Sequence, residues 1–249
     1  MDASPETQAA GPPEPCPSCG KPLELCVCAE IAPVATRHRV LLLQHPREPD
    51  KLLGSARIAN LALPGSVLKV GLSWPNLSKA LGEPARNREW GVLYLGTKNQ
   101  LAARPQGGDA LVAVDAKGRE RTEGAKLLAG LRGIIVLDGT WEQAKAMWWR
   151  NPWLLKLPRL VLSPAEGSLY GPLRREPRRE CLSTIESVAH ALVALGEPEA
   201  TAILRPFESL IRKAREAGVR GGGSPGHGGR GRYGGRGGRG RRGRRRSRS

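Results

Sequence analysis

The run Gly133-Ile134-Ile135-Val136-Leu137 restricts the fold of this chain more than any other feature. It is apolar and β-branched, with no polar residue alternating. A strand made from it must be covered on both faces, as in a mostly parallel sheet with helices packed above and below. Predicted strands are Arg39–Leu43, Ser66–Val70, Val92–Leu95, Leu111–Val114, Ile134–Leu137 and Leu160–Leu162. Helical patterns alternate with them over Leu52–Leu61, Thr122–Ala129, Trp141–Trp149, Ile185–Leu195 and Ala200–Ala217. The expected fold class is therefore α/β. Ligands of such sheets gather at the carboxyl ends of strands, so chemistry is sought just after each apolar run.

Four parts are expected along the chain. Residues 1–15 are acidic and rich in Pro and Ala, and are expected to be a disordered leader. They lack the basic start and apolar stretch of a secretory signal. Residues 16–35 carry four cysteines, 36–217 form the α/β domain, and 218–249 are a Gly/Arg tail. The tail cannot bury a core and is expected to be disordered. Of the net charge of +17, 11 charges are arginines of residues 220–249, which hold no acid; that leaves +6 elsewhere. A polyanionic partner is favoured even without the tail. No apolar run approaches the roughly 18 residues of a membrane span, so no membrane partner is expected. A cytoplasmic setting is expected, with a nuclear one open. The five cysteines are then a poor disulfide framework.

Four of those cysteines are close in sequence: Cys16-Pro17-Ser18-Cys19-Gly20, then Cys26-Val27-Cys28. A C-x₂-C turn followed by a C-x-C pair can surround one ion tetrahedrally, with no open position. That is the form of a structural zinc site, a small zinc-knuckle-like cluster. Unconnected thiols or a redox pair are the alternative, and the spacing favours zinc. Cys181 stands apart, at the approach to a helix, and reads as structural.

The stretch from Gly133 to Trp153 is the most informative. Asp138 falls in the turn after a buried strand, and Gly139 permits close backbone approach or a positive φ. Thr140 and Gln143 form a capping box that starts a helix at Trp141. Asp138 can also be read as a turn residue bonding its own backbone. Four of the six tryptophans lie between Trp141 and Trp153, in a chain with only 4% aromatics. Some belong to the core, and the concentration beside one loop also fits a surface for flat ligands. A second box, Ser183 with Glu186, opens the next apolar helix. It serves helix initiation, and its free amides would also attract a carboxylate such as that of a methionine moiety.

Taken together these stretches resemble the DTW-domain family of aminocarboxypropyltransferases, which modify RNA and are related to the SPOUT superfamily. The Asp-x-Thr-Trp signature stands here as Asp138-Gly139-Thr140-Trp141. The resemblance includes the cysteine cluster, His45-Pro46-Arg47-Glu48, Ser55-Ala56-Arg57-Ile58 and Leu182-Ser183-Thr184-Ile185-Glu186, and covers roughly residues 16–215. Leu95-Gly96-Thr97-Lys98 matches a strand-end loop of the family less closely, and the tail lies outside it. The resemblance implies a knotted, SPOUT-like domain that takes S-adenosylmethionine as donor. The acceptor would be N3 of a uridine, usually in tRNA, and methylthioadenosine the by-product. It places Asp138 in the catalytic role, with Leu137, Gly139, Thr140, Trp141, Leu182, Ser183 and Thr184 around the donor.

Uridine N3 is a poor nucleophile until its imide proton is lost. An ordinary Asp, with a pKa of about 3.9, is a weak base for it, although burial among Trp141 and apolar neighbours would raise that value. Asp138 either accepts the proton or orients the base through N3–H. His45, Arg57 and the pairs Arg174-Arg175 and Arg178-Arg179 are candidates for phosphate contacts, against the bland reading of a solvated surface. Two rivals remain: the same transfer onto ribosomal RNA, and a non-catalytic RNA-binding protein that uses its tail. A Rossmann-type methyltransferase is disfavoured, because G-x-G-x-x-G matches, such as Gly229 to Gly234, occur only in the tail, with no strand before them.

Overall fold

Six strands form one sheet in the order β2-β1-β5-β3-β6-β4 in the computed structural model, which describes residues 14–93, 110–164, 167–173 and 182–219. They are β1 (Arg39–Gln44), β2 (Val67–Val70), β3 (Trp90–Leu93), β4 (Ala110–Val114), β5 (Gly133–Asp138) and β6 (Arg159–Ser163). Every neighbouring pair is parallel except β4 with β6, which is antiparallel at one edge. The helices are α1 (Ala56–Ala62), α2 (Leu77–Leu81), α3 (Gly124–Ala129), α4 (Trp141–Arg150), α5 (Thr184–Ala194) and α6 (Leu204–Glu216). The predicted strand at Leu95 and the Leu95–Lys98 loop fall outside the described residues, as do Arg174, Arg175, Arg178, Arg179, Cys181, the start of the leader and nearly all of the tail.

Successive strand residues face opposite sides of the sheet, and here both sides are buried. On one side Val40, Leu42, Ile134 and Val136 meet the core of α1, α5 and α6, including Ile58, Ile185 and Phe207. On the other, Leu41, Leu43 and Ile135 meet Leu77, Leu81, Trp148 and Leu154. This two-sided burial is what the unalternating run at Gly133–Leu137 demanded. Each such side chain contributes roughly 1.5–3 kcal/mol by leaving water. Gly133 is required at the start of β5, where a Cβ would stand 2.6 Å from both the Arg39 carbonyl and the Trp90 ring.

The structure corrects several predicted boundaries. α1 begins at Ala56 rather than Leu52. Residues 45–54 are instead held in successive turns, by Glu48 N to His45 O, Lys51 N to Glu48 O and Gly54 N to Lys51 O. Leu52 and Leu53 still pack on the core, which is why their spacing looked helical. The short α2 was not anticipated; Asn76 caps it by accepting from Lys79 N at 2.9 Å. The predicted helix from Ala200 divides into a 3₁₀ stretch, Pro198–Ile203, and then α6.

The cysteine segment is tied to this framework. Leu25 and Val27 join the core beneath α6. Lys213 Nζ donates to the Cys26 carbonyl at 2.6 Å, and Ser209 Oγ bonds Glu30 at 2.8 Å. No helix among the described residues is long and apolar enough to cross a membrane.

Candidate functional site

The centre of the candidate site is the carboxyl edge of β1 and β5, where the register sets Gln44 beside Asp138. Asp138 is only 7% exposed. One carboxylate oxygen accepts from Gln44 Nε2 at 2.7 Å, and the other from Thr184 Oγ1. The carboxylate therefore bonds two other elements, β1 and the start of α5, and not merely its own turn. Two donors leave part of its acceptor capacity, about four lone-pair sites, open to a ligand.

A cation stands close by. Lys21 is buried, and its ammonium donates to the Lys51 carbonyl at 2.8 Å. Burial pushes it down to about 8, and the nearby Arg57 charge works in the same direction, against the pull of Cys19 and Asp138. Neither Gln44 nor Lys21 was singled out in the sequence. Gln44 had a readable signal, because it ends the apolar run Val40–Leu43 just as Asp138 ends its own. Lys21 had none, since only folding carries it from the cysteine segment to this corner.

Two capped helix starts frame Asp138. Gln143 N donates to Thr140 Oγ1 at 3.3 Å, and Thr140 N to Gln143 Oε1 at 2.5 Å. Gly139 is needed for close approach rather than for a positive φ: a Cβ there would meet Gln143 Cβ at 3.0 Å and His45 Cβ at 3.5 Å. At α5, Glu186 N donates to Ser183 Oγ at 3.3 Å, and Ser183 N to Glu186 Oε2 at 2.7 Å. Glu186 is 1% exposed and also accepts from Ser168 Oγ and Leu169 N. It is a node holding residues 168–169 against the helix start. Ile185 N is taken by Ser55 Oγ at 3.2 Å, so two of the first amides of α5 already have partners within the protein. Leu182 is half-buried beside them.

The tryptophans divide into two groups. Trp148 and Trp153 are buried, and Trp153 Nε1 donates to the Trp74 carbonyl at 2.9 Å. Trp141 is 49% exposed and Trp149 65%. Both line a cleft of about 170 Å³ with Leu93, Leu137, Trp148 and Lys145. Leu137 and Asp138 are consecutive in β5, so the cleft and the carboxylate lie on opposite faces of the sheet at the same edge. The expected walling of Asp138 by Trp141 is thus replaced by Gln44 and Thr184.

The four cysteines converge. Their sulfurs all lie within 4.8 Å of one another, with Cys16 to Cys28 at 3.6 Å and Cys19 to Cys26 at 3.8 Å. A tetrahedral zinc with Zn–S bonds of about 2.3 Å separates its sulfurs by about 3.8 Å, so Cys16, Cys19, Cys26 and Cys28 fit a metal ion. The backbone amides of Cys19 and Ser18 pull the Cys16 thiol down to about 6. Burial pushes Cys28 up, and its sulfur neighbours push the same way. Such crowding of thiolates is what a dication relieves. Gly20, at φ +70°, makes the turn that brings its N–H to the Cys16 carbonyl at 2.7 Å.

Of the candidate phosphate contacts, His45 is half-buried against the site, its N–H donating to the Asp138 carbonyl at 2.9 Å. Arg57 is exposed and donates to the Pro17 carbonyl at 3.2 Å, bracing the cysteine turn. Arg174, Arg175 and Arg178 lie outside the described residues.

A mostly parallel sheet with capped helix starts around a buried carboxylate at its carboxyl edge defines an α/β domain with a polar ligand site. The particular kind is given by comparison: residues 13–215 match the DTW domain, and the chain belongs to that family. A Drosophila melanogaster protein named tRNA-uridine aminocarboxypropyltransferase 2 is 29% identical over 203 residues, covering 79% of this chain and 73% of that protein. Proteins of the same name from Macaca fascicularis and Mus musculus are 27% and 26% identical, each over 78% of this chain. This chain spans 61% of the length of the macaque and mouse proteins, less than two thirds. These relatives are transferases by name. No solved structure matches the chain.

Proposed function

We propose that this protein transfers the 3-amino-3-carboxypropyl group of S-adenosylmethionine to N3 of a uridine in tRNA, releasing methylthioadenosine. The observation that carries the reading is the meeting, at the Asp138 carboxylate, of the Asp-Gly-Thr-Trp loop with the Ser183-Thr184 start of α5. The names of the relatives support the substrate. The knotted, SPOUT-like arrangement belongs to the same proposal, and the mostly parallel sheet is compatible with it.

The donor supplies a methylene carbon activated by the neighbouring sulfonium. N3 forms a bond to that carbon as the carbon–sulfur bond breaks; the electron pair stays on sulfur, and the N3 proton leaves as H⁺. The protein has to hold nucleophile, carbon and sulfur in line, and much of the acceleration comes from that positioning. Asp138, fixed by Gln44 and Thr184, offers its remaining lone pairs to N3–H. The Gly139–Thr140 turn and the Leu182–Thr184 start of α5 would hold the donor, with His45 and Arg57 on the RNA side; the side chains of Leu137 and Trp141, expected beside the donor, instead line the cleft on the opposite face of the sheet. A zinc ion in the four-cysteine site would be structural, joining Lys21 and the α6 contacts into one unit.

The test is direct. Full-length protein is incubated with S-adenosylmethionine and unmodified tRNA, and the digested RNA is examined by mass spectrometry. Aminocarboxypropyl-uridine with stoichiometric methylthioadenosine is the expected result. Methylated nucleoside with S-adenosylhomocysteine, or unaltered RNA bound by the protein, would overturn the reading.

A further inference from the structure

The cleft on the α4 side of the sheet is separate from the polar corner at Asp138, and its chemistry is different. It is about 170 Å³ and mostly apolar, with the buried Trp148 beneath and the exposed rings of Trp141 and Trp149 at its sides. Single exposed apolar side chains are ordinary, but exposed ones gathered around one groove mark an interaction site. Here two of the five exposed large hydrophobic residues among those described belong to one helix and one cleft. The space is below the 300 Å³ or so at which pockets for whole small molecules begin, so it is too small for a complete donor. A single flat ring fits it. Lys145 lines the same cleft and the Arg159 guanidinium lies 5.3 Å from the centre of the Trp148 ring, which puts two cations close to a seated base and its phosphates.

We infer that the Trp141–Trp149 cleft seats one unpaired nucleobase of the RNA by stacking, as a second RNA contact distinct from the Asp138 site. This deepens the reading of the protein as an RNA-modifying enzyme and rests on it. Stacking serves any base, because every base has a π-face. The cleft therefore supplies affinity and register rather than sequence choice. The adenine of the donor is the other source of a flat ring. The openness of the cleft argues for RNA: Trp149 is 65% exposed, whereas small ligands are usually buried over most of their surface.

The test uses the full chain with Trp149→Ala and Trp149→Phe. Binding of unmodified tRNA and of S-adenosylmethionine is measured separately, each across a salt series. Trp149→Ala should weaken tRNA binding about 10-fold, the loss of one base stack. Trp149→Phe should recover most of that loss. The ratio between variant and wild type should stay constant as salt rises, because stacking releases no counterions while phosphate contacts do. Donor affinity should change less than about twofold. Since Trp149 is exposed, both variants should keep the wild-type melting temperature. Loss of donor binding with tRNA binding intact would give the cleft to the donor's adenine and overturn the inference. Unchanged binding of both ligands would overturn it as well. These measurements need no turnover, so they fail or succeed independently of the product assay that tests the activity.

Discussion

The two ends of the Asp138–Trp141 turn illustrate opposite ways of making a site. At the Asp138 corner buried polar side chains hold one another: Gln44 and Thr184 on the carboxylate, Ser183 and Leu169 on Glu186, the Lys51 carbonyl on Lys21. The corner is buried, and removing any one partner strands another polar atom away from water. At the cleft, three residues along the chain, the rings are exposed and their contacts apolar. The first arrangement fixes geometry to within a hydrogen bond, as chemistry on a particular atom requires. The second leaves a surface that accepts different flat partners at little cost. Substitutions should therefore damage the corner through both rate and stability, and the cleft through binding alone.

The largest contrast is expected at Asp138. Asp138→Asn keeps the shape of the corner, and single-turnover transfer should still fall on the order of 10²-fold or more, with donor affinity much less affected. A pH series sharpens the assignment. If the deficit shrinks as pH rises and N3 ionises unaided, Asp138 was removing the proton. A constant deficit means that it orients the base. Near-normal turnover in Asp138→Asn would move the catalytic group elsewhere in the corner.

Next in size is the metal site. Cys16→Ser with Cys19→Ser should abolish about one equivalent of bound zinc and lower the melting temperature by ~10 °C. The path of damage runs through Lys213 and the Cys26 carbonyl into α6. Unchanged metal content in the double variant would remove zinc from the account.

Gln44→Leu tests whether the corner depends on satisfaction rather than shape. It removes the donor to a buried Asp138 oxygen and should cost about 1–3 kcal/mol in denaturant unfolding. A neutral result would mean that water replaces the amide. The smallest effects belong to the caps. Each of Thr140→Ala and Ser183→Ala should cost ~1 kcal/mol, with Ser183→Ala the worse of the two. Ser183 and its partner Glu186 are buried and anchor residues 168–169, whereas the Thr140 box is only half-covered. Equal losses would show that burial adds nothing to this second cap.

Much of the corner was legible from local sequence. Both capping boxes form as their S/T-x-x-E/Q spacing implied, and the alternation-free run at Gly133–Leu137 became a strand buried on both sides. These features depend on residues within a turn or two of each other, and local sterics and hydrogen bonds decide them. The turns at residues 45–54 were not legible, because Leu52 and Leu53 have helical spacing, and the side chains that bond the carbonyls of the last turn, Tyr170 and Lys21, come from outside the segment.

By itself, then, the sequence determined where the six strands and the two capping boxes fall, that four thiols lie close enough to share an ion, and that Asp138 ends a buried strand. Only the tertiary structure decided what Asp138 touches. Its partners Gln44 and Thr184 lie 94 and 46 residues away, and they meet it through the pairing of β1 with β5 and the docking of α5. That strand alternation sends Leu137 to the tryptophan cleft and Asp138 to the opposite layer is a local rule. Which helices wait on each face is settled by packing between distant segments, and no local pattern encodes it.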